Sequence, residues 1–395
     1  MTDMKIISEK LGWSALHTLG KGGGPRCIFL GETPLVTGHV CRIDGIEDCT
    51  VPARRFHLFH KAGGTIFEGG CLFPNGVSLE QTCRYFGNAV RLTYDVNWPK
   101  ETWPKAPVEL GSFSLPGRWT RMLVLERNAS PAAWRDIKPG DSFSWETLPL
   151  SAVFMNEAGV KLETSLGFDL WRWDAALGMK QTVSASVEVT DEGVRFRRFI
   201  APAGSEELFP ERREYRFSAI LAWSTPEMEK SDAPADAVPL PFCDKSDGVN
   251  LRELGPLPES PVLLLDAGKL CLPEKGRRLD ASGSRTGLCL EEGGTLTALK
   301  RVVRQVAALS EKGTLAIRGI MPAVCLDGAH CLKKGAHPHW DLQALLTFVA
   351  WASNCLGDGW KLHIEYDEGP LKELPSLASL HAVSRCRKAD GENEG

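Results

Sequence analysis

Long apolar segments, a strong charge imbalance and paired cysteine motifs are all missing from this sequence of 395 residues. No run of about 18 apolar residues occurs, which argues against a transmembrane helix, and the first ten residues lack the apolar stretch of a secretory signal. Lys and Arg number 46 against 50 Asp and Glu, whereas a dedicated nucleic-acid binder is normally strongly basic. We therefore expect a soluble protein that binds neither nucleic acid nor a membrane.

The twelve cysteines include no CxxC pair. Disulfide frameworks belong to small secreted domains, whereas this chain is large, and cysteines such as Cys27 stand beside apolar runs. Free Cys behaves as a small buried hydrophobe. We therefore expect free thiols and a cytoplasmic protein, and we assign no cofactor.

Up to about residue 225 the dominant hydrophobic period is two. Val90–Trp98 alternates strictly between apolar and polar residues, which sorts them onto the two faces of a β-strand. Val183–Val189 and Val194–Ile200 form two further strands joined by a short Gly-ending connection, which predicts a hairpin. Frequent turn clusters and little helical period predict a large antiparallel β-sandwich over 1–225.

The amino-acid composition changes after residue 225. Seven prolines fall within residues 226–261. Proline at this density opposes both helices and the hydrogen-bonded ladders of sheets, so we interpret 226–260 as a linker or surface excursion. From 261 to 395, predicted strands alternate with helices near 296–309 and 342–355. This alternation favours a small α/β unit with a frayed, charged tail from Arg387.

Two loops raise the question of phosphate or metal binding. Asp280–Gly287 offers successive amides and an arginine that could cradle an anion, but no helix follows it directly, so a plain loop is favoured. A metal is the second possibility, because imidazole, thiol and carboxylate groups lie close together in sequence. None of the common zinc spacings is present, so we assign no metal site and keep a metal-dependent enzyme as a weaker hypothesis. The residues of that cluster are Cys325, His330, Cys331, His337 and His339.

Aromatic residues beside polar ones indicate a sugar-binding face. In a strand over Phe168–Asp174, the side chains of Asp169, Trp171 and Trp173 would share one face. A sugar ring can stack its C–H side on an indole, and its hydroxyls can donate hydrogen bonds to a carboxylate. Any single Trp is nevertheless more often a core residue. Trp98 has the same polar setting and joins them as a predicted substrate-binding residue.

Acid–base candidates lie in the same part of the chain. His57 and His60 belong to one predicted strand, and histidine titrates near neutrality. Glu68 sits where a strand meets a turn, and Arg91 and Asp95 lie on the polar face of the strand over 90–98. An imidazole and a carboxylate that converge across a sheet can move protons on a sugar, whereas polar strand faces are normally just solvated. These five residues are our predicted catalytic candidates.

With these strands and aromatic-rich polar faces, above all Phe67–Asn75 and Val90–Trp98, residues 1–225 resemble the galactose-mutarotase-like β-supersandwich proteins. The likeness is one of architecture and covers roughly half of the chain. The resemblance implies sugar binding on a concave face, with a histidine acid and a glutamate base in the epimerase members. His57 or His60 and Glu68 are matched to these roles by their chemistry alone.

The leading hypothesis is a carbohydrate-active or carbohydrate-binding protein that holds a small-molecule or oligosaccharide ligand on an aromatic and polar sheet face. Acid–base catalysis of the epimerase or glycoside-cleaving type is compatible with it, and the sequence leaves open whether the protein is an enzyme. The alternative is a non-catalytic assembly or scaffold protein that binds other chains through its β-sandwich.

Overall fold

The fold is described here from a computed structural model of the chain. Its described residues are 3–9, 12–18, 21–22, 24–61, 64–99, 108–125, 133–145, 149, 151–166, 184–201, 214–228, 236–243, 248–280, 282–320, 325–328, 344–345, 348–349, 351–352, 355–357, 359–365 and 373–376. They fall into two compact units, Met1–Thr225 and Pro226–Gly395.

In its described residues, the first unit consists of strands and one short 3-10 helix, Asp48–Thr50. In chain order the strands are β1 Asp3–Ser8, β2 Trp13–Thr18, β3 Cys27–Leu30, β4 Thr33–Ile43, β5 Ile46–Glu47, β6 Ala53–Lys61, β7 Gly64–Leu72, β8 Ser78–Phe86, β9 Ala89–Asn97, β10 Val108–Pro116, β11 Trp119–Leu125, β12 Arg135–Asp136, β13 Ser142–Trp145, β14 Ser151–Asn156, β15 Lys161–Leu166, β16 Ser184–Thr190, β17 Gly193–Ala201 and β18 Glu214–Ser224.

These strands form two antiparallel nine-stranded sheets. The first has the order β1-β2-β3-β4-β10-β17-β16-β13, with β5 paired to β4, and the second has the order β12-β11-β14-β15-β18-β9-β8-β7-β6. The predicted alternation on β9 is confirmed, because Leu92, Tyr94 and Val96 are buried while the residues between them are half-buried. The predicted hairpin is confirmed as β16 paired with β17, in which Thr190 faces Gly193.

Aromatic side chains from both sheets pack together in the space between them. Trp13 on β2 stacks on Tyr85 of β8 with ring centroids 5.5 Å apart. Two histidine–tyrosine hydrogen bonds also cross from sheet to sheet, His17 Nε2 to Tyr85 Oη at 2.7 Å and His39 Nε2 to Tyr94 Oη at 2.9 Å. The two sheets are therefore the layers of a β-sandwich, as predicted.

A carboxylate is also buried in this unit. Asp48 accepts hydrogen bonds from the backbone N–H groups of Cys41 and Cys49, at 3.1 and 2.9 Å, and from Gln81 Nε2 at 2.6 Å. Burial raises the pKa of Asp48 to about 6, and these three donors oppose that rise. All cysteines among the described residues are free, as expected, and Cys41, Cys71 and Cys83 are fully buried.

The second unit is a small α/β structure. The elements with described bounds are β19 Val238–Pro239, β20 Val262–Asp266, β21 Arg277–Leu279, β22 Arg285–Leu288, α1 Gly293–Ala307, β23 Gly313–Arg318 and β24 Trp360–Ile364, with 3-10 turns at Leu251–Glu253, Ala267–Lys269 and Glu274–Gly276. Strands β19, β20, β23 and β24 form a parallel sheet in that order. The fold class is therefore a large antiparallel sandwich followed in the chain by a small α/β unit, as predicted.

Helix α1 begins three residues before the sequence suggested. The N-terminal cap is Glu292, whose carboxylate accepts the Thr295 N–H at 2.9 Å. Thr295 lies inside the helix, where its hydroxyl donates to the Gly276 carbonyl. The described residues between 344 and 356 are helical, as expected. Across the described parts of the chain, no helix has the length and apolarity that a membrane crossing requires.

Candidate functional site

A cavity of about 460 Å³ opens on the first sheet of the sandwich. Its lining residues come from the middle strands β4, β10 and β17, from β5 and the turn after it, and from Arg26 just before β3. Its volume lies within the range of small-molecule sites, about 300 to 1,000 Å³.

The charged lining residues belong to the face of the first sheet that is turned away from the second. On β17, Arg195 and Arg197 alternate with Val194 and Phe196, which are buried. On β4, Arg42 likewise lies on the face opposite to His39, whose ring reaches the second sheet. Successive strand residues point to opposite faces, so the arginines line the outer side.

One buried carboxylate is the centre of this site. Glu109 on β10 is 3% exposed and lies between two guanidinium groups. Arg42 Nη1 approaches its Oε1 at 2.7 Å, and Arg197 donates to both oxygens, at 2.5 and 3.3 Å. The Ser112 hydroxyl donates to Oε2 at 3.0 Å. Arg42 also pairs with Glu47 at 2.5 Å, so the charges form a network of two acids and two bases.

The charge state of Glu109 follows from its partners. Burial by itself would raise the pKa of this carboxyl, but the hydrogen bonds from Arg197 and Ser112 and the positive charges of Arg197 and Arg42 outweigh burial. The pKa of Glu109 therefore lies below its usual range. An ionised carboxylate accepts hydrogen bonds and cannot donate a proton, so Glu109 suits ligand binding better than general acid catalysis.

Cys49 also lines the cavity, but its chemistry is that of a thiol. Burial is the main reason that the pKa of Cys49 is raised, and the nearby carboxylates of Asp48 and Glu47 raise it further. Its Sγ lies 3.6 Å from Glu47 Oε2. Because the nucleophile in cysteine chemistry is the thiolate, Cys49 is not prepared for covalent catalysis.

A β-bulge in β10 shapes the floor of the cavity. The register with β4 and with β17 shifts between Glu109 and the residues near Ser112. Gly111, inside the bulge, has φ +67°, and a Cβ there would collide with Tyr94 Oη and with Arg198 Nη2. Glycine is therefore required at this position. The bulge brings Glu109 and Ser112, three residues apart, close enough for a hydrogen bond.

Arg198 lies beneath this floor, on the inner face of the sheet. It is 3% exposed, and its Nε donates to the Leu110 carbonyl at 2.6 Å. Its guanidinium lies 5.6 Å from the centre of the Tyr94 ring. Among the residues that the structure describes, no carboxylate pairs with Arg198. Burial and, to a smaller extent, the Arg198 charge lower the pKa of the neighbouring His39 to about 3, so this imidazole is neutral.

The predicted catalytic pair lies on the other sheet. His57 on β6 and Glu68 on β7 are direct partners in the antiparallel register, so their side chains share a face with Cβ atoms about 5 Å apart. His57 is exposed and Glu68 is half-buried. Thr82 continues the same row on β8. The structure thus brings together two of the predicted residues.

Arg91 and Asp95 lie on this same face but further from the pair. Arg91 faces Arg84, and Asp95 faces Glu80, each across the β8–β9 register. Glu80 in turn forms an ion pair with Arg55, whose Nε lies 2.7 Å from a Glu80 carboxylate oxygen. Strand spacing of about 4.8 Å puts β9 roughly 10 Å from Glu68 on β7. His60 faces Thr65 in the backbone register. As catalytic residues, all five stay predictions.

The structure describes one residue of the predicted aromatic face. Trp98 is 1% exposed and belongs to the core, and its role in substrate binding stays a prediction. Asp169, Trp171 and Trp173 lie outside the described residues, and their roles stay predictions. Trp119 is also buried.

The two loops considered for ion binding are partly described. In the loop after β21, Asp280 Oδ1 accepts hydrogen bonds from the N–H groups of Ser282 and Ser284, both at 2.9 Å. These two amides are therefore already bound to the Asp280 carboxylate. Arg285 pairs with Asp327 at 2.6 Å. The structure describes no group of three or more metal-ligating residues within its described ranges, and Cys325 is buried beside Cys289. The remaining members of the predicted cluster, His330, Cys331, His337 and His339, lie outside those ranges.

The cavity residues were not among the sequence predictions. Glu109 stands between Val108 and Leu110, and an acid inside an apolar run signals a buried charge that needs a partner. Arg195 and Arg197 alternate with apolar residues, as on any solvated strand face. The sequence thus marks Glu109 as unusual but does not show which arginines reach it.

The fold and the cavity define a protein with an antiparallel β-sandwich that carries a polar, arginine-rich cavity. No family model matches the chain, and no curated protein matches it. Matching solved structures include the Slr1438 protein from Synechocystis sp. PCC 6803, 9% identical over 57% of this chain and 96% of that chain, with a TM-score of 0.39.

Two further solved structures are similar to this chain. A galactose mutarotase-related enzyme from Lactobacillus acidophilus is 9% identical over 57% of this chain and 98% of that chain, with a TM-score of 0.33. The α-galactosidase from Lactobacillus brevis is 9% identical over 87% of this chain and 61% of that chain, with a TM-score of 0.39. A galactose mutarotase-related protein is thus among the proteins this chain resembles, as the sequence suggested. Because all three TM-scores lie below 0.5, the function proposed below depends on the residues of this chain alone.

Proposed function

We propose that this protein binds a saccharide in the cavity around Glu109. One observation carries the proposal: a buried, ionised carboxylate is fixed by Arg42, Arg197 and Ser112 at the floor of a cavity of about 460 Å³. A carboxylate with two arginines offers acceptors and donors in a fixed array, which suits a ligand with several neighbouring hydroxyls.

The rest of the lining supports a sugar over a flat apolar ligand. Ser114 adds a hydroxyl from β10, and Glu47 adds a second carboxylate. The rings of Phe113 and Phe196, with centroids 5.1 Å apart, are buried beneath this lining. A pyranose carries several neighbouring hydroxyls, so it matches a lining of charged and hydroxyl side chains.

The test is to fill the cavity with a side chain and measure sugar binding by isothermal titration calorimetry against a panel of mono- and oligosaccharides. Ser114 is half-buried on the outer face, so Ser114→Trp places an indole in the cavity without removing a charge. We expect wild type to bind at least one sugar and Ser114→Trp to lose binding. Ser142→Trp is the matched control, because Ser142 is exposed on β13 of the same sheet and does not line the cavity.

Two results would overturn the proposal. One is the absence of binding to wild type across the panel at millimolar sugar. The other is unchanged binding by Ser114→Trp when circular dichroism shows it to be folded, because the sugar would then bind elsewhere.

A second and more specific proposal is that His57 and Glu68 carry out acid–base chemistry on a sugar. It is favoured by their direct cross-strand pairing, which allows an imidazole and a carboxylate to act on one bound sugar. This face belongs to the second sheet, so the acid–base function is a separate candidate from binding at Glu109.

Polarimetry of anomer interconversion in freshly dissolved aldoses tests this second candidate. Positioned general acids and bases contribute about 10² to 10⁴ in rate, so we expect Glu68→Gln and His57→Gln each to lower the catalysed rate at least about a hundredfold. Glu157→Gln, which changes an exposed carboxylate in the turn after β14, serves as the control. A rate in wild type no faster than in buffer, or equal rates in all variants, would contradict the acid–base assignment.

A further inference from the structure

We infer that the saccharide bound in this cavity is anionic, with a carboxylate or phosphate group that Arg26 and Arg195 recognise. This inference depends on the proposed binding function and narrows its ligand class. It starts from the charges of the lining. Four arginines, at 26, 42, 195 and 197, face two glutamates, at 47 and 109, which leaves a formal excess of two positive charges.

The excess is concentrated in two of the four arginines. Arg42 and Arg197 are held by Glu109, and Arg42 also by Glu47. Within the described residues, the side chain of Arg26 has one partner, the neutral Thr18 hydroxyl at 3.3 Å. A guanidinium has five N–H donors, so Arg26 keeps most of its donors for a ligand.

Arg195 has a weaker partner than the inner arginines. It lies 3.6 Å from Glu188, and both side chains are more than half exposed. Exposed pairs of this kind contribute about 0 to 1 kcal/mol and are readily exchanged. A ligand anion in the cavity can therefore compete with Glu188 for Arg195.

These two arginines are placed at opposite sides of the cavity. Cys27 on β3, which follows Arg26, pairs with Thr37 on β4. Thr37 pairs with Ser114 on β10, and Ser114 pairs with Arg195 on β17. Three strand spacings give about 14 Å between the two sides, with Ser114 between them. A sugar over Ser114 can thus extend a charged substituent to either side.

The experiment compares matched sugars by isothermal titration calorimetry on the full chain. The probes are glucose, glucuronate, glucose 6-phosphate and inorganic phosphate, each at two ionic strengths. We expect at least one anionic sugar to bind about tenfold more tightly than glucose, since a hydrogen bond to a charged group contributes more than one to a neutral group. The difference should shrink at high salt.

Variants assign the preference to Arg26 and Arg195. The double variant Arg26→Gln/Arg195→Gln should bring the anionic sugar's affinity to within about twofold of glucose, each single variant should lose part of the preference, and Arg26→Lys should keep more of it than Arg26→Gln. Arg118→Gln is the control, because Arg118 is an exposed arginine next to β11, outside the cavity lining. If only the phosphate-bearing probe is preferred, the anion is a phosphate, and if only glucuronate is preferred, it is a carboxylate; both support the inference.

Other outcomes separate the two levels of the proposal. Equal affinity for glucose and both anionic sugars overturns the anionic inference and leaves saccharide binding standing. Inorganic phosphate binding as tightly as glucose 6-phosphate also overturns it, because the sugar would then contribute nothing. No binding of any sugar removes the proposed function itself.

Discussion

At the scale of the residue, Glu109 shows what a buried acid needs in order to stay ionised. Moving a carboxylate out of water costs several kcal/mol, and partners must offset that cost. Glu109 has two guanidinium groups and a hydroxyl as partners, which together lower its pKa in spite of burial. Arg42 and Arg197 keep 29% and 41% of their side chains exposed, so water also contributes to their solvation. The arrangement fixes the negative charge of Glu109 at a place where a ligand can reach the neighbouring Arg42 and Arg197.

We predict that Glu109→Gln lowers the free energy of unfolding by about 2 kcal/mol. This value is less than the 3 to 5 kcal/mol typical of a broken buried pair, because both arginines are partly solvated. Urea titration followed by tryptophan fluorescence measures the change. Glu188→Gln breaks an exposed pair with Arg195 and should stay within about 0.5 kcal/mol of wild type. If Glu109→Gln and Glu188→Gln were equally stable, the carboxylate would not be the centre of the network.

At the scale of the element, hydrophobic alternation was enough to predict single strands and their faces. The strand over 90–98 and the hairpin of β16 and β17 both follow from local sequence, since side-chain direction in a strand has period two. The same pattern predicted a polar face with Arg91 and Asp95. A period of two is a property of one segment, so it needs no knowledge of the neighbours.

Strand pairing, in contrast, does not follow from the local sequence. Strand β9 pairs with β8, which is adjacent in sequence, and with β18, which begins at Glu214. Glu109 reaches Arg42 across 67 positions and Arg197 across 88 positions. No local pattern encodes such distances, because many registers satisfy the same alternation. The cavity was therefore beyond sequence reasoning, although an acid between Val108 and Leu110 hinted at it.

At the scale of the whole molecule, the sandwich decides which aromatic residues are available to a ligand. Trp98 follows the polar strand β9, yet its indole is buried, because a side chain of that size stabilises the fold most when it is removed from water. Polar neighbours in sequence do not report burial in a two-sheet structure. The candidate catalytic pair and the cavity lie on different sheets, a separation that only the assembled fold reveals.

The two layers are joined by neutral histidines, and this gives the sandwich a pH dependence. Burial lowers the pKa of His17 to about 3, with a further contribution from His39, and it lowers the pKa of His39 to about 3, with a further contribution from Arg198. Between the ordinary value of 6.5 and about 3, the unfolded chain takes up protons at both positions while the folded protein does not. Stability from these groups is therefore present above pH 6.5 and is lost as the pH falls.

The contribution of Asp48 to the pH dependence of stability has the opposite sign. Burial raises its pKa from 3.8 to about 6, so the folded protein takes up this proton first, and stability from Asp48 rises as the pH falls from about 6 to 3.8. Two histidines with larger shifts outweigh one aspartate. We predict a net loss of stability between pH 6.5 and 4, measured as the free energy of unfolding in urea at several pH values. His39→Gln should reduce the slope in this range, since one of the two neutral imidazoles is removed. A slope equal to that of wild type would show that His39 does not control the acid sensitivity of the sandwich.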